Sequence, residues 1–210
     1  MTAYQTEEEQ VEALKRWWQE NGKATIAGAV LGLGGIFGWQ VWQQQQQSAA
    51  VQASNQYQEL SVAINQGAIE SAAKQAEILI SERGDSAYAV FAALGMAGQR
   101  LMQGDAAVAK GQLRWALVNS KDDGIRQIAR LRLARLLLSE GDAAGAAGLV
   151  AEAGTDSFAG ELAQLRGDIA LVNGDGDAAR KAYQDALNSS VGNTELVQMK
   201  LDDLAIAAVE

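Results

Sequence analysis

From Ala24 to Trp42 the chain runs for nineteen apolar, uncharged residues. At 1.5 Å rise per residue a helix of that length spans about 28 Å, the thickness of a bilayer's hydrocarbon core. The run therefore predicts one transmembrane helix. Trp17 and Trp18 precede it, and Trp39 and Trp42 stand at its far end. Four of the five tryptophans thus fall where an aromatic belt would anchor in the two membrane interfaces. Beyond the run the pattern changes to helical stretches separated by polar, glycine-bearing connectors: Glu82 to Ser86, Asn119 to Gly124, Gly154 to Ser157, and Asn188 to Thr194. The first of these helices, Gln43 to Ile64, is expected to continue from the apolar run, since no proline interrupts it.

Orientation follows from basic residues near the ends of the span. Lys15, Arg16 and Lys23 lie on its N-terminal side, and the next basic residue after it is Lys74. This predicts a cytoplasmic tail over residues 1–23, an anchor over 24–42, and an outer domain over 43–210. A cleaved leader is the competing reading. Its apolar core would be shorter and followed closely by small residues, whereas here Gln43 to Gln47 follow, and small-residue patterns end only at Ala50 or Ala53. With no cysteine, no lipid can be carried on an N-terminal Cys. Ala24, Gly28, Gly32 and Gly35 fall on one face of the anchor, a groove that lets another helix's backbone approach. That face suits a homodimer or docking on a larger membrane complex; the competing reading is that glycine is common in such helices.

The outer domain repeats. Gly67, Gly104, Gly141 and Gly174 are 37, 37 and 33 residues apart, and the last three open a Gly-Asp pair. Five residues beyond each glycine stands an alanine: Ala72, Ala109, Ala146 and Ala179. Nine beyond come Ala76, Leu113, Val150 and Tyr183; twelve beyond come Leu79, Ala116, Ala153 and Ala186. This is a pattern of helix–turn–helix units. The glycine ends a first helix in the left-handed conformation, and the aspartate caps the second at its positive dipole end. The alanines let the two helices approach, with the larger residues filling the space beside the crossing. The units resemble tetratricopeptide repeats, whose period is about 34 residues. The unit with Gly167, Gly174-Asp175, Ala179, Tyr183 and Ala186-Leu187 is the best match. The signature tryptophan and closing proline are missing, and two units are longer than the family's. The predicted fold is all-α: a transmembrane helix followed by a tetratricopeptide-like α-solenoid of helix hairpins. The segment Glu195 to Val209, with Leu196, Met199 and Leu204, would be its C-terminal capping helix.

Composition narrows the function. The chain of 210 residues carries a net charge of −9 and no His, Cys or Pro. It lacks the usual base for an activated serine and the usual zinc ligands, so the expectation is that it is not an enzyme and needs no cofactor. Asn173 to Asp177 is the nearest approach to a calcium loop. Its sixth position is Ala178 and its twelfth Gln184, where glycine and a bidentate Glu are required, so it reads as a turn with a helix start. Negative charge argues against a nucleic-acid partner. Arg126, Arg130, Arg132 and Arg135 share one predicted helix but not one face, and read as a solvated, salt-bridged helix.

A solenoid of helix pairs presents a surface lined by its first helices, and such surfaces bind peptides or proteins. The repeat register puts Phe91, Leu94, Leu101 and Met102 of the second unit there, with Ile128, Leu131 and Leu138 of the third. An apolar lining suits an unfolded or helical polypeptide, with methionine adding adaptable packing. The competing readings are that these residues are core, or are covered by the C-terminal helix.

The run from Glu9 to Trp18, then Asn21-Gly22-Lys23, the glycine-rich anchor, and Gly38-Trp39 with Trp42 resembles the YfgM family, ancillary subunits of the SecYEG translocon in proteobacteria. The resemblance extends over the whole chain and implies a bacterial inner-membrane protein with a periplasmic repeat domain. It implies as partners the SecYEG translocon, the membrane-anchored chaperone PpiD and unfolded secretory proteins passing to periplasmic chaperones. It also implies an alternative role in envelope stress, restraining the Rcs response regulator on the cytoplasmic side. For that role Val11, Leu14 and Trp18 recur at helical spacing, with Glu7, Glu8, Glu9 and Glu12 beside them. The competing reading of the tail is a helix resting on lipid headgroups. The family supplies no catalytic residues.

Overall fold

A computed structural model of the chain describes residues 7–153, 158–189 and 191–207. Among them are nine helices: α1 (Glu7–Asn65), α2 (Ile69–Arg83), α3 (Ala87–Met102), α4 (Ala106–Asn119), α5 (Asp123–Ser139), α6 (Ala143–Ala151), α7 (Ala159–Val172), α8 (Gly176–Asn188) and α9 (Thr194–Ala207). The fold is all-α, as expected. The connector Gly154 to Ser157 and the end of the last segment, at Val209, lie outside the described residues. α1 is unbroken over 59 residues. The chain divides into two compact units, Met1–Gln52 and Ala53–Glu210.

In the first unit the described side chains of Ala24–Trp42 are exposed: Val30 to 63 %, Leu31 to 77 % and Trp39 to 64 %. By length and composition α1 is able to cross a membrane. Lipid is the medium that accepts so long a ring of bare apolar side chains, because the helix satisfies its own backbone. Polar residues at the start of the run also turn inward on the backbone. Asn21 Nδ2 donates to the Trp17 carbonyl at 3.1 Å, and Thr25 Oγ1 to that of Asn21 at 3.0 Å. Trp39 and Trp42 lie against one another, their rings tilted by 41° with centroids 5.0 Å apart.

In the second unit consecutive helices pack on one another from α2 through α9. The repeat turns explain how. All four spaced glycines have positive φ: Gly67 at 73°, Gly104 at 82°, Gly141 at 85° and Gly174 at 77°. Each glycine N–H donates at 3.0 Å to the carbonyl three residues back, on Ile64, Leu101, Leu138 and Leu171. The next residue's N–H reaches five back, as from Asp105 to Arg100 at 2.8 Å and from Asp175 to Ala170 at 2.9 Å. This pair of bonds is the Schellman closure, which satisfies carbonyls left open at a helix end. Asp105, Asp142 and Asp175 then cap the following helices, accepting from the N–H groups of Val108, Gly145 and Ala178. In the first repeat Ala68 takes that place without a side-chain cap.

The alanines lie where helices cross: Ala72, Ala109, Ala146 and Ala179 are fully buried, and so are Leu79, Ala116 and Ala186. Ala76, Leu113, Val150 and Tyr183 are buried beside them. Ala153 departs from the pattern. It lies past the end of α6 and is only half-buried. Gly145 and Gly148 lower helix propensity within that short segment, so it ends early. The first helices are buried from two sides. On α3, Ala89, Ala92 and Met96 join a core with Ala53, Leu60 and α2, whereas Val90, Ala93, Leu94 and Ala97 join a core with α4 through α7.

The last hairpin is closed by a polar contact. Asp168 of α7 accepts from Tyr183 Oη at 2.7 Å and from Lys200 Nζ of α9 at 2.6 Å. Burial, followed by the neighbouring Asp168 carboxylate, pushes the Tyr183 phenol well above its ordinary pKa. This cluster holds α9 on α7 and α8, the capping position expected for it.

Candidate peptide-binding cleft

The turns set α3 and α5 as the first helices of successive repeats, and a cleft of about 540 Å³ opens between them. On α3 its wall is Leu94, Ala97, Gly98 and Leu101; on α5 it is Arg132, Arg135, Leu136 and Ser139. Both sets follow i, i+3, i+4, i+7, the spacing of one helical face. Leu113 of α4 forms the floor. Gly98 leaves the gap wide, since an added Cβ there would meet nothing within 4 Å. Among the described residues, none of α9 lines the cleft.

The residues expected on this surface divide. Leu94 and Leu101 line the cleft, Leu94 with only 7 % of its surface exposed and Leu101 with 41 %. Met102 is 80 % exposed at the end of α3. Phe91 is half-buried in an aromatic group, its ring 6.0 Å from Tyr57 and 6.5 Å from Tyr88. On α5, Leu131 is buried in the core, and Ile128 and Leu138 are half-buried. The α5 wall of the cleft is therefore the face one residue on, that of Arg132 and Leu136.

The arginines of α5 go separate ways. Arg126 pairs with Asp123 at 3.0 Å and donates to the Ser120 carbonyl at 3.0 Å; Arg130 donates to Gln127 at 2.8 Å. Arg132 and Arg135 are exposed at the cleft and have no hydrogen-bond or ion-pair partner among the described residues. The reading of all four as a salt-bridged surface missed these two. A signal was present: Arg126 has Asp122 and Asp123 within four residues, whereas no acid lies three or four positions from Arg132 or Arg135.

Elsewhere, the Asn173 to Asp177 segment is a turn and helix start, with Asp177 paired to Arg180 at 3.0 Å. Among the described residues no cluster of acids is arranged to hold a metal. Along the first unit, Ala24, Gly28, Gly32 and Gly35 are all exposed, and a Cβ added at any of the three glycines would meet nothing within 4 Å.

Comparison with known proteins gives this arrangement its relatives. A model described as a tetratricopeptide repeat-like domain matches residues 15–206. A Haemophilus influenzae protein named ancillary SecYEG translocon subunit is 36 % identical over 206 residues, covering 96 % of this chain and all of its own length. One of the same name from Escherichia coli is 33 % identical over 208 residues, covering 98 % and 100 %. Another, from Neisseria gonorrhoeae, is 30 % identical over 217 residues, covering 97 % and 100 %. The chain belongs to the ancillary SecYEG translocon subunit family. The matches span both units. The names of these relatives and the repeat fold indicate a scaffold, and no reaction is part of either.

Proposed function

We propose that the chain is a membrane-anchored protein-binding scaffold at the SecYEG translocon that helps pass newly secreted proteins to periplasmic chaperones such as PpiD. In this reading residues 24–42 anchor the chain in the bacterial inner membrane, residues 1–23 face the cytoplasm, and residues 43–210 lie in the periplasm. Lys15, Arg16 and Lys23 on one side, with no basic residue before Lys74 on the other, support that orientation. The single observation carrying the function is the α3–α5 cleft, an open groove with an apolar α3 wall on a repeat domain that follows one lipid-competent helix. Its volume falls in the range of ligand sites.

Photocrosslinkers tell whether the groove is used. At Leu101 they are expected to capture secretory chains or chaperone in intact membranes. Val118 on α4, 79 % exposed and outside the cleft, is the control. Adducts from Val118 with none from Leu101 would overturn the assignment.

A second reading is supported by the tail, where Val11 is 51 %, Leu14 66 % and Trp18 51 % exposed at helical spacing. There the chain restrains the Rcs response regulator through its cytoplasmic helix. Replacing Glu7, Glu8, Glu9 and Glu12 by Gln, with insertion unchanged, is expected to raise stress output; an unaltered output removes the tail from that role.

A further inference from the structure

We propose that the α3–α5 cleft selects apolar polypeptide segments that carry acidic side chains, with Arg132 and Arg135 reading the carboxylates. The inference rests on the scaffold reading above and names the chemistry of what the groove accepts. In a chain of net charge −9, none of the nine residues lining this cleft is acidic and two are arginine. Arg100 is engaged with Glu70, Lys110 with Glu140, Arg180 with Asp177 and Lys200 with Asp168, while Lys74, Arg114, Arg166 and Lys181, also without a partner among the described residues, do not line this cleft. Arg132 and Arg135 have no such partner among the described residues.

Their setting suits a carboxylate. Both sit on the cleft stripe of α5, one turn apart, opposite the apolar stripe of α3. A guanidinium is weakly hydrated and offers a planar fork of donors, so it works well at the rim of an apolar wall and pairs bidentately with carboxylates. Leu101, exposed at the mouth, offers apolar surface to the residues between the acids, over the buried Leu94, Leu113 and Leu136 beneath. Basic segments meet like charge at the same rim, which gives discrimination as well as attraction.

The test uses the full chain in nanodiscs of zwitterionic lipid and two labelled peptides with identical apolar residues, one flanked by Glu and one by Lys. Fluorescence anisotropy is expected to give binding about tenfold tighter for the Glu peptide, the order two exposed ion pairs supply. R132E/R135E is expected to reverse the preference. Gly98→Phe fills the groove from a position where a Cβ meets nothing, so it should abolish binding of both peptides with helicity intact. Leu101→Trp, at a side chain already exposed at the mouth, provides the same block should Gly98→Phe misfold. Equal binding of the two peptides by the natural chain, or an unreversed preference in R132E/R135E, overturns the selectivity and leaves the scaffold standing. Undiminished binding in both blocked variants overturns the groove itself, and the selectivity with it.

Discussion

In the first unit Gly28, Gly32 and Gly35 share a helix face where an added Cβ would meet nothing within 4 Å. In the second, a Cβ on Gly167 would stand 2.4 Å from the ring of Tyr183, which is itself fully buried. The same residue type thus marks an unfilled contact in one unit and a filled one in the other. At Gly167 the missing side chain is what lets α7 and α8 close around a tyrosine. At Gly28 to Gly35 the missing side chains leave a shallow track that the chain does not use itself. Helices in lipid gain little from apolar burial and depend on close backbone approach, so such a track has value only when a second helix lies in it.

The largest expected effect tests the filled side of that contrast. Gly167→Leu drives new atoms into Tyr183, and overpacking of this kind costs about 3 kcal/mol. Hydrogen exchange on the full chain should show protection lost in α7 through α9; unchanged protection would mean that the α7–α8 contact is looser than the geometry implies. Next in size is Gly141→Ala. Here no atom obstructs a Cβ, but φ is +85°, so the cost is conformational and about 1 to 2 kcal/mol. Comparing these two variants separates steric from backbone demands at glycines of one domain. Equal losses would show that the left-handed backbone at Gly141 costs as much as the clash at Gly167.

The repeat turns were legible because their causes are local. A left-handed glycine and a capping aspartate each depend on a few neighbouring atoms, and the four glycine positions were readable by spacing alone. The wall of the cleft was less so. α5 carries Leu131, Leu133, Leu136, Leu137 and Leu138, which wrap much of the helix and leave its phase ambiguous, and the expected face came out one residue away. α3 was easier, since Leu94 and Leu101 remain on the cleft side. The contact joining Asp168, Tyr183 and Lys200 was not legible at all. Lys200 lies 32 residues from Asp168, and nothing short-range pairs them.

That contact gives a smaller effect with a definite sign. The Tyr183 phenol is held above its ordinary value, so its pKa is higher folded than unfolded, where it lies near about 10. Its contribution to stability is fully present below that pH and is lost as pH rises toward the folded value. Tyr183→Phe removes this dependence. Protection of α7 through α9 should therefore fall less steeply above about pH 10 in the variant than in the natural chain. Parallel pH profiles would show that the hydroxyl is not coupled to folding.

The smallest expected effect on stability is zero, and it completes the comparison. Gly28→Leu and Gly32→Leu add side chains where the structure has open space, so exchange in the repeat domain should not change. Both also improve intrinsic helix propensity, which removes unfolding of α1 as an explanation for any loss of association. What they block is the track. Under the scaffold reading, copurification of the translocon from solubilised membranes should weaken in both variants. Gly34→Leu, the control, adds a side chain to the same helix with equally open surroundings but 100° or more around it from Gly28, Gly32 and Gly35. Retained copurification in all three would mean that these glycines merely populate a lipid-facing helix. Loss in all three would point to bulk anywhere on α1, and only loss confined to Gly28 and Gly32 makes the face itself the contact.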